Sequence, residues 1–388
     1  MPHINLASAL AGSRLSAATV EAQPLSPELI ACLSGQCVTF RNDSNACTLP
    51  TFDELCLHLC IPSARSTEPP HTARLPLRIL SGAASSLEKS VWRHAMERGG
   101  LHEVLSVEVV GAIANRIRRV IARTELHDLK SRLDLNGQAA EVIGPLNERS
   151  GRVPVRIDAT GETVQCKLAN AFSAGVLPTV LECGAGTGAL SHFLAEHLAG
   201  FAEVIAADDH RDKLAAGGTI ARVVSQLDSE RAIRQHDPCY VVIAWQPSGI
   251  DWTLHCREEG ASCREYLLLG EPDGSTCGDG WATWGVVPEN GDEYGLDEDS
   301  TKPYVADGFT RVELPEIARW QLCRFDSGEA RGFSTAVAFT RRGCAPTEGL
   351  AETEPEESLA ESWQRMQRSV EAGTAQRLDV QMDVSVTK

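Results

Sequence analysis

The stretch Val180-Leu181-Glu182-Cys183-Gly184-Ala185-Gly186-Thr187-Gly188 decides the fold of this chain. An apolar run ends in three glycines at alternate positions, and apolar residues then recur at helical spacing through Leu198. The pattern predicts a buried strand over Thr179–Glu182, a tight loop, and a helix over Gly188–Leu198. Glycine suits such a loop because the chain turns sharply, often with positive φ, and lets another group pass close to the backbone. The following helix points its first amides at whatever lies over the loop. A bare G-x-G-x-G is a weak signal. Its position between a strand and a helix gives it meaning.

The same alternation continues outward. Glu203–Ala207 reads as a second strand and 221–226 contains a short third. Ser229–Gln235 is a helix, Tyr240–Trp245 and Glu265–Leu269 are apolar strands, and Thr335–Phe339 is a late strand. Strands alternating with helices predict an α/β domain over 175–342, a doubly wound and mostly parallel sheet. The second strand runs into Asp208, 20 residues after Gly188. In such a fold a carboxylate there lies beside the first loop, where it accepts hydrogen bonds from ribose hydroxyls. Asp228 follows the third strand. On the residues alone, Asp208 fits a helix N-cap as well, and Glu182 fits a buried ion-pair partner.

The dinucleotide fingerprint is G-x-G-x-x-G, whereas Gly188 is followed by Ala189, Leu190 and Ser191. An NAD-dependent oxidoreductase is therefore the weaker reading. The form Glu182-x-Gly184-x-Gly186-x-Gly188 resembles the first motif of class I S-adenosylmethionine-dependent methyltransferases. The resemblance implies S-adenosyl-L-methionine as cofactor. It places Gly184, Gly186 and Gly188 under the cofactor's amino-acid part and Glu182 at its amino group. It also puts Asp208 on the ribose and Asp228 on the adenine amino group.

The fourth strand delivers Ala244-Trp245-Gln246-Pro247-Ser248-Gly249-Ile250-Asp251-Trp252-Thr253. The amino-methylating branch of the family has Asn/Asp-Pro-Pro-Tyr/Phe here. This chain has one proline and no aromatic directly after it, which puts base methylation in doubt. Trp245 and Trp252 are expected to wall the methyl-transfer pocket, where cation–π attraction for a sulfonium is worth about 1 kcal/mol, or else to pack in the core. Gln246 is expected to orient a substrate. Asp251, His255 and Glu271, close to the fourth- and fifth-strand ends, are candidate bases, with Asp251 first. The pattern W.P.G.DWT…REYLLLGE…CGDGWATWG resembles a group of eukaryotic methyltransferase-like proteins and names no substrate. Between Gly270 and Ser300 lie nine acidic residues and no Lys or Arg. They read as a solvated loop, or as an acidic rim selecting a cationic or amine acceptor.

Before this domain, residues 1–133 are irregular and then helical. Leu87, Val91 and Ala95 form one stripe, and Val107, Val110, Ile113, Ile117, Val120 and Ile121 a second. Arg116, Arg118, Arg119 and Arg123 read as the solvated face of that second helix. Residues 134–172 change to short strands, Ala140–Ile143, Arg152–Ile157 and Thr163–Lys167, divided by Gly- and Asn-containing turns. The run LNG…V.GPL…GRVPVRID…NAF resembles SH3-like barrel modules, with Pro154 suggesting an edge strand. Residues 343–388 form an acidic tail.

Cys32, Cys37, Cys47, Cys56 and Cys60, with His58, match zinc-ligand spacing only loosely and read as buried small residues; no metal is expected. The 13 scattered cysteines point to reduced thiols and a cytoplasmic location, with the acid-poor, Ser/Ala-rich first 20 residues leaving an organellar leader as the other reading. A net charge of −17 opposes binding to a phosphate backbone. No apolar run is long enough to span a membrane. The functional expectation is a methyltransferase acting on a small-molecule or protein acceptor. The alternative is a non-catalytic scaffold of the same fold, docking a protein partner through the barrel or the tail.

Overall fold

The computed structural model describes residues 102–172, 175–186, 188–209, 224–272, 277–287, 295–297, 299–323 and 334–344. The N-terminal cysteines, the Leu87 stripe, the acidic tail and parts of the acidic 270–300 stretch lie outside them. Among the described residues no helix is long and apolar enough to cross a membrane.

The chain opens with β1 (Glu103–Val104) and α1 (Val107–Ile121), capped by the Ser106 hydroxyl accepting from Val109 N at 3.2 Å. There follow β2 (Arg123–Glu125), β3 (Ala139–Val142), β4 (Arg152–Ile157), β5 (Thr163–Lys167) and the short α2 (Leu168–Ala171). The second half contains β6 (Thr179–Cys183), α3 (Ala189–His197), β7 (Glu203–Ala207), β8 (Val224–Ser225), α4 (Ser229–His236), β9 (Tyr240–Ala244), α5 (Thr253–Glu258) and β10 (Glu265–Gly270). It closes with α6 (Pro303–Ala306), β11 (Phe309–Glu313), α7 (Pro315–Ala318), β12 (Leu322–Cys323) and β13 (Thr335–Arg341).

Seven strands form the main sheet in the order β11-β13-β10-β9-β6-β7-β8. The five from β10 to β8 are parallel, while β13 runs antiparallel to both β10 and β11. The chain steps from β6 outward to β8 and then crosses back to β9. This leaves a topological switch point between β6 and β9, the place where open α/β sheets bind ligands.

Both faces of this sheet are buried, so its strands are continuously apolar and not alternating. Val180, Tyr240, Val242, Leu267, Leu269, Ala336 and Ala338 face one layer, with α1, α3 and α7. Leu181, Cys183, Val241, Ile243, Tyr266, Leu268, Val337 and Phe339 face the other, with α4 and α5. The helix α1 thus packs on the main sheet although it precedes the small strands in sequence.

That packing corrects the reading of Arg116 as a solvated residue. Arg116 is 7% exposed and donates to Glu265 Oε1 at 2.8 Å and Oε2 at 2.5 Å. The stretch expected to be an SH3-like barrel forms an antiparallel meander in the order β2-β3-β4-β5, with no β2–β5 pairing among the described residues. Its own core holds Leu126, Leu135, Val153, Val155 and Ile157. Pro154 lies in β4, between β3 and β5, and not on an edge. It is tolerated because the β3 ladder ends at Val155, and beyond that Pro154 only accepts, from Ile143 N at 3.0 Å.

Candidate functional site

The glycine loop turns as its sequence requires. Gly184, Gly186 and Gly188 have φ of 71°, 55° and 75°, a left-handed region costly for other residues. Gly184 has a second reason to be glycine: a Cβ there would lie 2.4 Å from Cζ3 of Trp252. The loop is tied to the second strand. Gly184 N and Ala185 N donate to Ala207 O at 2.9 and 3.1 Å, and Gly186 N donates to Asp208 Oδ2 at 3.0 Å. Gly188 then begins α3.

At the C-terminal ends of β6, β7 and β8 these residues enclose a cleft of about 230 Å3, lined by Gly184, Asp208, Asp209, Leu227, Asp228, Ser229 and Trp252. Asp208 and Asp228 are half-buried there. Asp228 also caps α4, its Oδ1 accepting from Arg231 N at 2.8 Å. A carboxylate with its cap on one oxygen keeps acceptor capacity on the other.

Glu182 sits beneath the loop, away from the residues lining this cleft. The alternation of β6 turns it toward α3, where its Oε2 accepts from Ser191 N at 2.8 Å and from the Ser191 hydroxyl. It is 4% exposed. Burial pushes its pKa up to about 7, against the two Ser191 bonds and helped by the charge of Asp208.

On the far side of the switch point the chain leaves β9 through Trp245, which has φ of 54°. Left-handed backbone on so bulky a residue costs about 1–3 kcal/mol. The conformation is held from three sides. Trp245 N donates to Leu269 O at 2.8 Å, extending the β9–β10 ladder. Its indole Nε1 donates to Glu103 Oε2 at 3.3 Å, and His102 stacks on the ring at 5.7 Å.

The residues that follow form a buried polar network. Asp251 Oδ1 accepts from Thr253 N at 3.0 Å, Thr253 Oγ1 at 2.5 Å and Thr283 Oγ1 at 3.1 Å. Its Oδ2 lies 3.2 Å from Arg257 Nη2, and Arg257 also donates to Asp307 at 2.7 Å. Gln246 is 2% exposed, donates to Thr283 Oγ1 at 2.9 Å and accepts from Trp252 N at 3.3 Å. The backbone at Gly278 approaches it so closely that a Cβ would lie 2.0 Å from Gln246 Nε2. Trp284, within the stretch read as a solvated loop, is 2% exposed and donates to Cys277 O at 2.8 Å.

The structure therefore gathers Gly184, Asp208, Asp228 and Trp252 into one cleft. Trp252, expected on the acceptor side, lies instead against the first loop glycine. Asp251 and Gln246, expected as a base and a substrate-orienting amide, spend their polar atoms on Thr253, Thr283, Arg257 and Trp252. They act as the scaffold that sets Trp252. His255, half-buried on α5, and Glu271, 2% exposed after β10, do not line the cleft. Sequence reasoning missed Glu103 and His102. They reach Trp245 because β1 pairs with β12, Glu103 opposite Cys323 and Val104 opposite Leu322. No local pattern announces a pairing of two residues across so long a separation.

No protein-family model and no curated protein matches the chain. Similar solved structures exist. One is a precorrin-6y C5,15-methyltransferase from Geobacter metallireducens, 9% identical over 42% of this chain and 80% of that one, with a TM-score of 0.24. A Listeria monocytogenes protein assigned as an S-adenosylmethionine dependent methyltransferase is 15% identical, over 42% of this chain and 91% of its own, at 0.26. The DszA carbon methyltransferase is 16% identical, over 43% of this chain and 48% of its own, at 0.24. At these identities and TM-scores the likenesses transfer no residue role, and the chemistry of the site rests on Gly184, Asp208, Asp228 and Trp252 of this chain.

Proposed function

We propose that the chain is an S-adenosylmethionine-dependent methyltransferase acting on a small-molecule or protein acceptor. The observation that carries the reading is the cleft at the switch point. A left-handed glycine loop, two half-buried carboxylates and one indole converge there. The residues suit the cofactor's nucleoside part. Asp208 is placed to accept from vicinal hydroxyls while it also accepts from Gly186 N. Asp228 has an oxygen beyond its helix cap for an exocyclic amino group. The Trp252 ring offers a flat apolar face to a flat base. Antiparallel β13, inserted between β10 and β11, departs from the six-stranded parallel order of dinucleotide-binding folds.

The bound cofactor supplies an electrophilic methyl group on sulfur. The chain's residues position it and exclude water. The Gln246–Thr283–Asp251 network holds the Trp252 indole against Gly184, at the wall of the cleft. Trp245, at the end of β9, lies on the side of the switch point where the acceptor approaches.

Calorimetric titration with S-adenosylmethionine tests the reading. The expected result is saturable binding, weakened about 10- to 100-fold by Asp208→Ala through loss of hydrogen bonds to a charged acceptor. Absence of both heat and thermal protection removes the reading, and protection by NAD in its place revives the oxidoreductase. Binding without methyl transfer to any metabolite or protein pool leaves the scaffold.

A further inference from the structure

A buried cation stands behind the cleft without lining it. Arg257, on α5, has a side chain 2% exposed, and the cleft wall nearest to it in sequence is Trp252. Taking a guanidinium out of water is expensive unless its donors are met. Here two of them are met by the residues immediately before and after Trp252. Nη2 donates to Asp251 Oδ2 at 3.2 Å, and Nη1 donates to the Thr253 hydroxyl. Nε donates to Asp307 at 2.7 Å, just beyond α6, which anchors the group from the other side. One planar group thus grips both neighbours of the ring that lines the cleft.

The segment between those grips is closed on itself as well. Asp251 Oδ1 accepts from Thr253 N at 3.0 Å and from Thr253 Oγ1 at 2.5 Å, making a turn around Trp252. Because the Thr253 hydroxyl accepts from Arg257, its own proton is directed to Asp251. Trp252 N donates to Gln246 Oε1 at 3.3 Å, and the indole lies so near Gly184 that a Cβ there would be 2.4 Å from Cζ3. We infer that Arg257 is a positioning residue for ligand binding: its guanidinium fixes the Trp252 indole as a wall of the cleft. The inference rests on the methyltransferase reading only for the identity of the ligand. Lysine is a poor substitute at this position, since an ammonium is a point charge and cannot hold two acceptors at the fixed separation of a guanidinium fork. The competing account makes Arg257 an ion pair that stabilises the fold and has no particular bearing on Trp252.

The test uses the full chain and two readouts. The first is the indole N–H signal of Trp252 in NMR without ligand. The chain has seven tryptophans, so Trp252→Phe identifies that signal by its loss. Trp320, which packs on the opposite core layer, serves as the reference and is identified in the same way. Arg257→Lys is expected to shift or broaden the Trp252 signal and to leave that of Trp320 in place. An unmoved Trp252 signal overturns the proposal, and so does movement of both signals, which makes Arg257 a general stabiliser. If Arg257→Lys does not fold, Asp307→Ala decides: it removes the outer anchor at a half-exposed position, and an unmoved Trp252 signal then overturns the proposal. The second readout is calorimetric titration with S-adenosylmethionine. Arg257→Lys is expected to weaken binding about tenfold in the wild type and less than about twofold in a Trp252→Ala background, because the two residues act as one unit. An equal loss in both backgrounds overturns the proposal. A wild type that binds no S-adenosylmethionine, with the Trp252 signal moved by Arg257→Lys, refutes the methyltransferase reading and supports the positioning of Trp252. Binding by the wild type with an unmoved Trp252 signal does the reverse.

Discussion

Glu265 and Glu182 are buried carboxylates of one sheet, and they are satisfied in opposite ways. Glu265, at the start of β10, is fully buried and surrounded by donors. Arg116 grips both of its oxygens, Tyr240 Oη donates to Oε1 at 2.9 Å, and the Thr340 hydroxyl donates to Oε2. Glu182, near the C-terminal end of β6, is almost as buried but, among the described residues, is met by the amide and hydroxyl of Ser191 and by no cation. The first arrangement pairs a carboxylate with a cation. The second leaves a carboxyl whose proton comes and goes near neutrality. The difference follows the axis of the sheet. The N-terminal rim is clamped for stability, and the C-terminal rim, where the cleft lies, holds its carboxyl loosely.

Removing the clamp is expected to have the largest effect. Arg116→Met strands a buried carboxylate and should cost about 3–5 kcal/mol, read from the midpoint of urea unfolding. Substituting Glu265→Met as well should recover most of that loss, because an apolar pair of similar volume replaces a desolvated ion pair. Cofactor binding should survive in the double variant. A loss below about 1 kcal/mol in the single variant would mean that Tyr240 and Thr340 alone hold Glu265.

The second expectation concerns Glu182 and has a defined sign. Its folded-state pKa is raised to about 7 by burial, from 4.5 in the exposed chain. The folded protein therefore holds a proton that the unfolded chain releases between those values. The stabilisation is fully present below about pH 4.5 and is lost as pH rises through about 7. A rise of that size corresponds to about 3 kcal/mol. Glu182→Gln keeps an acceptor for Ser191 and has no charge to bury. It should leave stability at pH 5 little changed and raise it at pH 8 by up to about 3 kcal/mol. A gain equal at both pH values would show that Glu182 does not titrate in this window.

The contrast also explains what could be read from the residues in order. Strands, the glycine loop, Asp208 and Asp228 are local patterns, and the β–α alternation places them at one end of a parallel sheet without further information. The clamp joins Arg116 to Glu265 across 149 positions, and an arginine beside an apolar stripe looks the same in sequence whether it faces water or a buried carboxylate. Trp252 reads in sequence as a wall of a methyl-transfer pocket or as core, but not as the ring against Gly184. That placement depends on Gln246, Thr283 and Asp251, which only the folded chain brings together. Pro154 suggested an edge because proline breaks ladders, yet it lies in an inner strand where its ladder has already ended.

The smallest expected effect probes the Glu182 site from its partner. Ser191 is fully buried, and Ser191→Ala removes the hydroxyl bond while the backbone amide stays in place. A hydrogen bond to a neutral carboxyl contributes about 1 kcal/mol and one to a carboxylate about 1.5–3. The loss should therefore be about 1 kcal/mol at pH 5, where Glu182 is protonated, and about 2 kcal/mol at pH 8, where it is not. Because the hydroxyl favours the charged form, its removal should also move the titration of Glu182 further upward, seen as a shift in the pH at which wild type and Glu182→Gln diverge. Thr340→Ala is the matching change at Glu265, where Arg116 and Tyr240 stay bonded to the carboxylate. Its cost should be about 1.5–3 kcal/mol, that of a hydrogen bond to a charged group. A cost at Ser191 that is the same at pH 5 and pH 8 would show that Glu182 is not the loosely held carboxyl.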